Sequence, residues 1–356
     1  MSTRIVLTGG GTAGHCTPNL ALVPHLREEG YEIAYVGSIE GIERGLVEEY
    51  GVPYTPIETG KLRRYLDPKN FTDPFRVLKG YHQAQQFLKE YRPDVVFSKG
   101  GYVAVPVVRA AYKLHIPCVI HESDMTPGLA NKLCLKCAVT VCCNFPETMG
   151  EFPQDAEHVV LTGTPIRDEL FQGSAATGRA LCGFDESRPI LMIIGGSQGA
   201  SSVNKTIRDN LDALLADYQI VHLCGRDKMD NLLLTRPGYK QFEYVTEELG
   251  NLYAMADIVI SRAGANAICE LLALQKPNLL VPLPTGRGDQ KLNAASFEAQ
   301  GYSMVVQDDD LPDVILEKVH ELYENRAQYV EAMRGSSQGD ATRLILDLIG
   351  QAAGKI

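Results

Sequence analysis

Four glycine-rich segments carry the residue types that bind phosphate groups. They are TGGGTAGH at 8–15, SKGG at 98–101, GGSQGA at 195–200 and SRAGANAICE at 261–270. Each lies where an apolar run gives way to helical spacing, which predicts a loop between a strand and a helix. There, glycines let the backbone approach a phosphate, and the helix N-terminus directs N–H groups towards it. Glycines in any single loop also serve tight turns, but four such loops together indicate a phosphate-bearing ligand.

The first loop matches the dinucleotide-binding pattern G-x-G-x-x-G from Gly9 to Gly14. A nicotinamide enzyme usually holds the ribose diol with an acidic residue at the end of its second strand. The second strand here, EIAYVGS, ends without a carboxylate. Glu270, six residues after Gly264 in the second half, is the better candidate, with an ordinary exposed helix glutamate as the alternative. The sequence therefore places the nucleotide in the second half of the chain.

The elements that must position these loops alternate between strand and helix. In the first half the strand-like runs are RIVLT, EIAYVG, DVVFS, PCVIHE and AVTVCC. After LTGTPIRDEL the pattern restarts with PILMIIGG, YQIVHLCG, DIVISRAG, PNLLVPLP and YSMVVQ. This alternation predicts parallel sheets covered by helices on both faces. The predicted fold class is α/β, with two Rossmann-like doubly wound domains and a ligand cleft between them. The predicted boundaries are 1–163, 164–340 and a C-terminal helix at 341–356 that packs back on the first domain.

Composition limits the possible functions. With 356 residues, of which 45% are hydrophobic, the chain can bury a large core. A net charge of -10 argues against a general affinity for nucleic acid. Because the sequence shows neither a secretion signal nor a long apolar run, we expect a cytoplasmic protein. Nine cysteines predict reduced thiols, and a metal site at Cys134, Cys137, Cys142 and Cys143 is the less favoured alternative.

Seven segments together resemble the MurG-type N-acetylglucosaminyltransferases of peptidoglycan synthesis. In chain order they are GGGTAGHCTPNLAL, SKGGYVAVP, HESDMTPGLANK, GTPIR, GGSQGASSVN, SRAGANAICE and DQKLNA. The resemblance implies the glycosyltransferase B arrangement, with an acceptor- and membrane-facing first domain and a UDP-sugar-binding second domain. It implies inverting transfer of N-acetylglucosamine from UDP-N-acetylglucosamine to the 4-hydroxyl of the muramyl sugar of lipid I, which forms lipid II.

The resemblance also implies roles for individual residues. Each part of the donor has its expected contacts. On the side of the sugar and pyrophosphate they are Thr12, Ala13 and Gly14, at the phosphates Arg167 and Ser197, and at the donor sugar Gln290. At the uracil the expected contact is Val245, at the ribose Glu270, and at the uridine and pyrophosphate Ala265, Asn266, Ala267, Ile268 and Cys269. Further substrate contacts are expected within the same segments at Gly100, Gly101, Tyr102, Asp124, Asn131, Gln198 and Gly199.

The chain departs from this family at two positions. Members commonly carry TGGH where this chain has TAGH, and often HEQN where it has HESD. Ala13 adds a methyl group to the loop, and an ionised Asp124 cannot donate a hydrogen bond as an amide does. A related UDP-sugar transferase with another lipid or small-molecule acceptor therefore stays open. An inactive nucleotide-sugar-binding paralogue is also an alternative, although the joint presence of the expected site residues argues against it.

Inverting transfer needs a base that removes the proton of the acceptor hydroxyl. His15 follows the first glycine loop, and its unperturbed pKa near 6.5 predicts an acidic limb in the pH profile. Glu122 in IHES is the alternative base. No metal or cofactor is expected, because helix termini and Arg167 can stabilise the leaving pyrophosphate. The D-x-D match at 308–310 precedes Leu-Pro and a helical run, which favours a helix N-cap over a manganese site.

A lipid acceptor raises the question of membrane contact. One helical face of NFTDPFRVLKGYHQAQQFLKEY carries apolar residues, with basic residues nearby and upstream. The apolar residues are Phe71, Phe75, Leu78 and either Tyr81 or His82, and the basic ones are Lys61, Arg63, Arg64, Arg76 and Lys79. The segment resembles the family's membrane-docking patch, whereas packing on the sheet is the alternative. Docking through it predicts a peripheral location on the inner face of the cell membrane.

Overall fold

A computed structural model describes residues 2–60, 69–152, 158–196, 199–285, 288–336, 338 and 340–355. The chain divides into two compact units. Unit 1 comprises residues 1–167 and 340–356, and unit 2 comprises residues 168–339. Each unit is built on its own parallel sheet, which confirms the predicted α/β class with two Rossmann-like folds.

Unit 1 contains a seven-stranded sheet and its covering helices. The strands are β1 (Thr3–Thr8), β2 (Tyr31–Ser38), β3 (Tyr54–Ile57), β4 (Val95–Ser98), β5 (Cys118–Glu122), β6 (Thr140–Cys143) and β7 (Val159–Leu161). The helices are α1 (Thr17–Glu28), α2 (Glu43–Glu49), α3 (Lys69–Tyr91), α4 (Ala104–Lys113), α5 (Leu129–Cys134) and α6 (Pro146–Met149). The strand order is β3-β2-β1-β4-β5-β6-β7. The order reverses between β1 and β4, where open α/β sheets bind their ligands.

The strands of unit 1 are buried on both faces of the sheet. On β1, Ile5 and Leu7 join a core cluster with Leu20 of α1. Val6, between them, joins the opposite cluster with Val107 of α4. Consecutive strand side chains point to opposite faces, so a strand covered on both sides must be apolar throughout. This double burial explains why the run RIVLT shows no polar alternation.

Unit 2 contains a six-stranded sheet and its covering helices. The strands are β8 (Ile190–Ile194), β9 (Gln219–Leu223), β10 (Tyr239–Phe242), β11 (Ile258–Ser261), β12 (Asn278–Leu280) and β13 (Met304–Val305). The helices are α7 (Ala175–Cys182), α8 (Ser201–Asp209), α9 (Leu211–Asp217), α10 (Leu249–Met255), α11 (Ala265–Ala273), α12 (Asp289–Ala299), α13 (Leu311–Glu324) and α14 (Arg326–Arg334). The strand order is β10-β9-β8-β11-β12-β13, and it reverses between β8 and β11. The third and fourth glycine loops follow these two strands.

The final helix, α15 (Ala341–Ala352), belongs to unit 1. The carboxylate of Asp340 caps it by accepting a hydrogen bond from the backbone N–H of Arg343 at 3.2 Å. Ile345 and Ile349 then enter the same core cluster as Phe97 of β4. The cap starts the helix, and its apolar face fixes it on the sheet of unit 1.

Candidate active site

The first two glycine loops pack directly on each other at the carboxyl edge of the unit 1 sheet. Gly11 has a φ of +87°, and a Cβ added there would lie 2.4 Å from Cε1 of Tyr102. Gly101 has a φ of +81°, and a Cβ added there would lie 2.3 Å from the carbonyl oxygen of Gly10. Only glycine tolerates both the left-handed backbone and this close approach. The loop after β1 therefore takes its shape from the loop after β4.

A buried carboxylate, absent from the residues expected at the site, holds the first loop. Glu43, at the start of α2, is fully buried. Its Oε1 accepts hydrogen bonds from the backbone N–H of Ser38 at 3.0 Å and from the Ser38 hydroxyl at 2.6 Å. Its Oε2 accepts from the N–H of Gly11 at 3.3 Å. In the sequence, Glu43 is recognisable only as an acidic residue shortly after the second strand. In the structure, its carboxylate oxygens bind the backbone of the protein's own first glycine loop.

His15 lies in a short 3-10 helix, Ala13–His15, directly after the glycines. Its Nδ1 is 2.9 Å from Oγ1 of Thr12. Burial and the positive charge of Lys99 lower the pKa of His15 to about 4, although Glu43 acts in the opposite direction. The predicted pKa near 6.5 is therefore wrong for the folded chain. The imidazole is neutral at pH 7, and its Nε2 can accept a proton when Nδ1–H donates to Thr12.

Glu122, the alternative base, is tied into the loop that follows β5. Its Oε1 accepts from the N–H of Asp124 at 2.9 Å. Its Oε2 accepts from the N–H of Gly128 and from Nδ2 of Asn131, both at 2.9 Å. Glu122 is only 4% exposed. The carboxylate thus shapes residues 123–128, and Asn131, itself buried, supports it.

The remaining expected contacts of unit 1 lie around these two loops. Thr12 is exposed, and Gly14 and Tyr102 are partly exposed. Burial raises the pKa of the Tyr102 hydroxyl, so it stays protonated and can donate a hydrogen bond. Gly100 has a φ of +87°, and a Cβ there would lie 3.2 Å from the Asn131 amide, so another residue would be strained at this position. The side chain of Ala13 lies outside the described structure.

The third glycine loop connects β8 to α8 in unit 2. Gly199 has a φ of +67°, and a Cβ added there would lie 1.9 Å from the carbonyl oxygen of Cys224. This contact holds the loop against the end of β9. Ser197, expected at the phosphates, and Gln198, expected as a further substrate contact, lie outside the described residues.

The fourth loop leads into α11, whose N-terminus opens at the carboxyl edge of the sheet. Helix N-termini present backbone N–H groups without partners inside the helix, and they favour negative charge. Ala265, Asn266 and Ala267 are partly exposed in this first turn. Ile268 and Cys269 are buried in unit 2 at 0% and 4% exposure, so only their backbone can meet a ligand.

Three polar residues that are expected to contact the donor are partly exposed. Oε2 of Glu270 accepts a hydrogen bond from the Tyr253 hydroxyl at 3.5 Å. Oε1 of Gln290 accepts from the N–H of Leu283 at 3.0 Å. Nε of Arg167 is buried and has no hydrogen-bond partner among the described residues. Val245, expected at the uracil, is 7% exposed, which leaves mainly its backbone for such a contact.

The aspartates at 308–310 do not play the predicted capping role. Asp310 stands at the N-cap position of α13, but its side chain makes no capping hydrogen bond. Asp308 pairs with Arg262 and accepts a hydrogen bond from Ser202 at 2.8 Å. Among the described residues, no group of three or more His, Cys, Asp or Glu side chains is placed to hold a metal ion.

All nine cysteines are free thiols, and eight of them are buried. Burial raises the pKa of both Cys134 and Cys142 to about 12. Metal ligation requires thiolates, which such burial disfavours. The thiols therefore serve as small apolar groups in the core of each unit.

Some apolar residues of helix α3 lie in the core of unit 1, and others lie on the surface. Ala84 and Leu88 are buried in the core of unit 1, whereas Phe75 and Leu78 are 74% and 55% exposed. Lys79 donates to Glu58 at 3.2 Å, which offsets part of the local positive charge. Lys61, Arg63, Arg64 and the side chain of Phe71 lie outside the described structure. In the described part of the chain, no helix combines the length and apolarity needed to span a membrane.

Known proteins resemble the chain over nearly its full length. The glycosyltransferase family 28 N-terminal domain matches residues 5–142, and the family 28 C-terminal domain matches residues 190–348. Relatives from Lachnoclostridium phytofermentans and Lachnospira eligens are 58% and 56% identical over 97% of this chain and 98% of their own. Both are named UDP-N-acetylglucosamine--N-acetylmuramyl-(pentapeptide) pyrophosphoryl-undecaprenol N-acetylglucosamine transferase.

Solved structures show the same fold. The crystal structure of Acinetobacter baumannii MurG is 27% identical, with a TM-score of 0.77 over 98% of this chain and 99% of that one. A UDP-GlcNAc 2-epimerase from Neisseria meningitidis is 13% identical, with a TM-score of 0.68 over 99% of this chain and 100% of that one, and shares the fold alone. With both family domains matched and relatives above half identity, the chain belongs to glycosyltransferase family 28.

Proposed function

We propose that the chain transfers N-acetylglucosamine from UDP-N-acetylglucosamine to the 4-hydroxyl of the muramyl sugar of lipid I, with inversion, and so forms lipid II. The observation that carries this proposal is the 58% identity, over 97% of the chain, to a relative named for this transfer. The glycine loops and the neutral His15 are the parts that such a reaction needs. Unit 1 supplies the base and meets the acceptor, and unit 2 binds the UDP-sugar.

In this proposal His15 accepts the proton of the acceptor hydroxyl. With its pKa lowered to about 4, His15 is unprotonated at neutral pH but weakly basic. A weak base takes the proton late, when the new glycosidic bond has already made the acceptor oxygen acidic. The hydrogen bond from Nδ1–H to Thr12 would keep Nε2 ready for this step.

The leaving UDP carries growing negative charge as the sugar departs. We assign the stabilisation of this charge to the N-termini of α8 and α11 and to Arg167. Nε of Arg167 is buried and has no hydrogen-bond partner among the described residues. Glu270 would accept hydrogen bonds from the ribose hydroxyls, and Gln290 would meet the donor sugar. None of these roles needs a metal or another cofactor.

The acceptor is a lipid, so the chain must reach a membrane surface. We propose that Phe75 and Leu78, exposed apolar residues of α3, insert into the inner face of the cell membrane. Since Lys79 is paired with Glu58, the apolar pair would contribute more to docking than the charge of this helix.

The direct test incubates the purified chain with UDP-N-acetylglucosamine and a short-chain lipid I analogue, with other UDP-sugars in parallel. Mass spectrometry should show the acceptor heavier by one N-acetylhexosamine, and only with the first donor. Faster transfer of another sugar would contradict the proposed donor, whose identity Ala13 and Asp124 leave open. Nucleotide-sugar binding without product would favour the inactive paralogue.

A further inference from the structure

A buried lysine joins the strand ends beside the candidate site. Lys99 directly follows β4 and is 1% exposed. A lysine is rarely buried unless its ammonium group is hydrogen-bonded. Its Nζ donates to Nδ1 of His121 at 2.7 Å, to Oγ of Ser123 at 2.5 Å and to Oγ1 of Thr164 at 3.4 Å. One side chain thus links the ends of β4, β5 and β7.

Gly163 and Lys99 face the two ring nitrogens of His121. Nε2 of His121 lies 2.8 Å from the carbonyl oxygen of Gly163, which can only accept, so Nε2 carries the proton. Nδ1 therefore accepts a hydrogen bond from Nζ of Lys99 at 2.7 Å. Burial and the charge of Lys99 hold the pKa of His121 well below its ordinary value. His121 is therefore a neutral Nε2–H imidazole, locked between a cation and a carbonyl.

The same lysine anchors the loop at residues 123–128. A ring of hydrogen bonds closes through Thr164, which donates to Oδ1 of Asn144 at 2.8 Å, while Nδ2 of Asn144 donates to the Ser123 carbonyl at 3.2 Å. Lys99 donates to the Ser123 hydroxyl and to Thr164, and so completes the ring. Glu122 holds the next part of the loop through the N–H of Asp124.

We propose that Lys99 is a positioning residue for the transfer reaction: its ammonium group holds the His121 imidazole through Nδ1 and anchors Ser123, which holds the Asp124 loop in place for the sugar. The role of the loop towards a sugar rests on the proposed function. The hydrogen-bond ring does not, because it is a property of the described residues.

Lys99 also acts on His15 through space. The charged groups that face His15 are Lys99, which lowers its pKa, and Glu43, which raises it, with burial as the largest effect. Removing the ammonium should therefore raise the pKa of His15 from about 4 towards 6.5. A residue that only filled space would leave this titration unchanged.

The test compares Lys99→Met, which keeps the length of the side chain and removes its charge, with Lys113→Met. Lys113 is an exposed lysine at the end of α4, in the same unit. Nitrogen-15 NMR of the imidazoles, without substrate, should show a shifted His121 Nδ1 signal, because its hydrogen bond is lost, and His15 titrating at higher pH, in Lys99→Met only. Its kcat/KM should fall about 10²-fold, the cost of misplacing a site by roughly 1 Å.

A second variant guards against a folding defect in Lys99→Met. Ser123→Ala removes one acceptor and keeps the ammonium, so it should lower kcat/KM about tenfold, with His15 unchanged. The proposal is overturned if Lys99→Met keeps the His121 Nδ1 signal and the His15 titration of the wild type, or if Ser123→Ala turns over normally. If the wild type itself transfers no sugar, the proposed function fails, while the NMR comparison still decides the role of Lys99 in the network.

Discussion

At the scale of single residues, His15 carries the proposed chemistry. His15→Ala should lower kcat about 10²- to 10⁴-fold, the usual contribution of a positioned base. UDP affinity, measured by calorimetry, should stay unchanged, because we assign the nucleotide to unit 2. Protonation inactivates a base, and the pKa of His15 is lowered to about 4. We therefore expect kcat/KM to stay constant between pH 7 and pH 5. Near-normal turnover of the variant would remove His15 from the mechanism and make Glu122→Gln the next test.

Glu270 tests the nucleotide assignment at the same scale. Its carboxylate is partly exposed on α11 beside Tyr253, and we propose that it binds the ribose diol. Glu270→Ala should weaken UDP binding by about 1–3 kcal/mol, the cost of losing charge-assisted hydrogen bonds. The matched control is Glu331→Ala, which removes an exposed carboxylate of α14. Equal UDP affinities for both variants would refute the ribose assignment.

At the scale of elements, the contact between the first two glycine loops should be indispensable. Gly101→Ala forces a side chain into a left-handed backbone and against the Gly10 carbonyl oxygen. It should lower the free energy of unfolding by about 1–3 kcal/mol and abolish most transfer. Gly45→Ala is the control, because a Cβ at this position in α2 meets nothing within 4 Å. Denaturant unfolding and turnover of the two variants decide the matter, and wild-type values for Gly101→Ala would contradict the account.

Helix α3 is the element that we expect to meet the membrane. Replacing both Phe75 and Leu78 by serine should weaken binding to anionic lipid vesicles, because it removes exposed apolar area. Leu316→Ser, at an exposed leucine of α13 in unit 2, should bind as the wild type does. Co-sedimentation with the vesicles measures the difference. If the double variant sediments with the control, the docking surface lies elsewhere.

Long and fully buried strands were identified from the sequence pattern, whereas three short strands at the edges of the sheets were not. Runs such as RIVLT and DVVFS, buried on both faces, were predicted as strands and became β1 and β4. The short edge strands β3, β7 and β10 were missed, because their three or four residues show no long apolar run. Glycine loops were found from their composition. Glu43 and Lys99 were not, because a single buried charge has no periodicity and its partners are distant in sequence.

At the scale of the whole molecule, we assign different tasks to two similar α/β units. Each has its glycine loops where its strand order reverses, which is where open α/β sheets bind their ligands. Unit 1 uses that edge to shape the turn that holds His15, whereas α11 of unit 2 presents its N-terminus and Glu270. This division predicts that variants of unit 1 change turnover and variants of unit 2 change nucleotide affinity.

NMR of the product distinguishes inverting transfer to one hydroxyl from the other possible outcomes. Proton spectra of the product made from UDP-N-acetylglucosamine and a lipid I analogue report both the linkage position and the anomeric configuration. We expect one new bond to the 4-hydroxyl of the muramyl sugar, with the anomeric configuration opposite to that of the donor. Retention of the donor's configuration, or attachment at another hydroxyl, would contradict it.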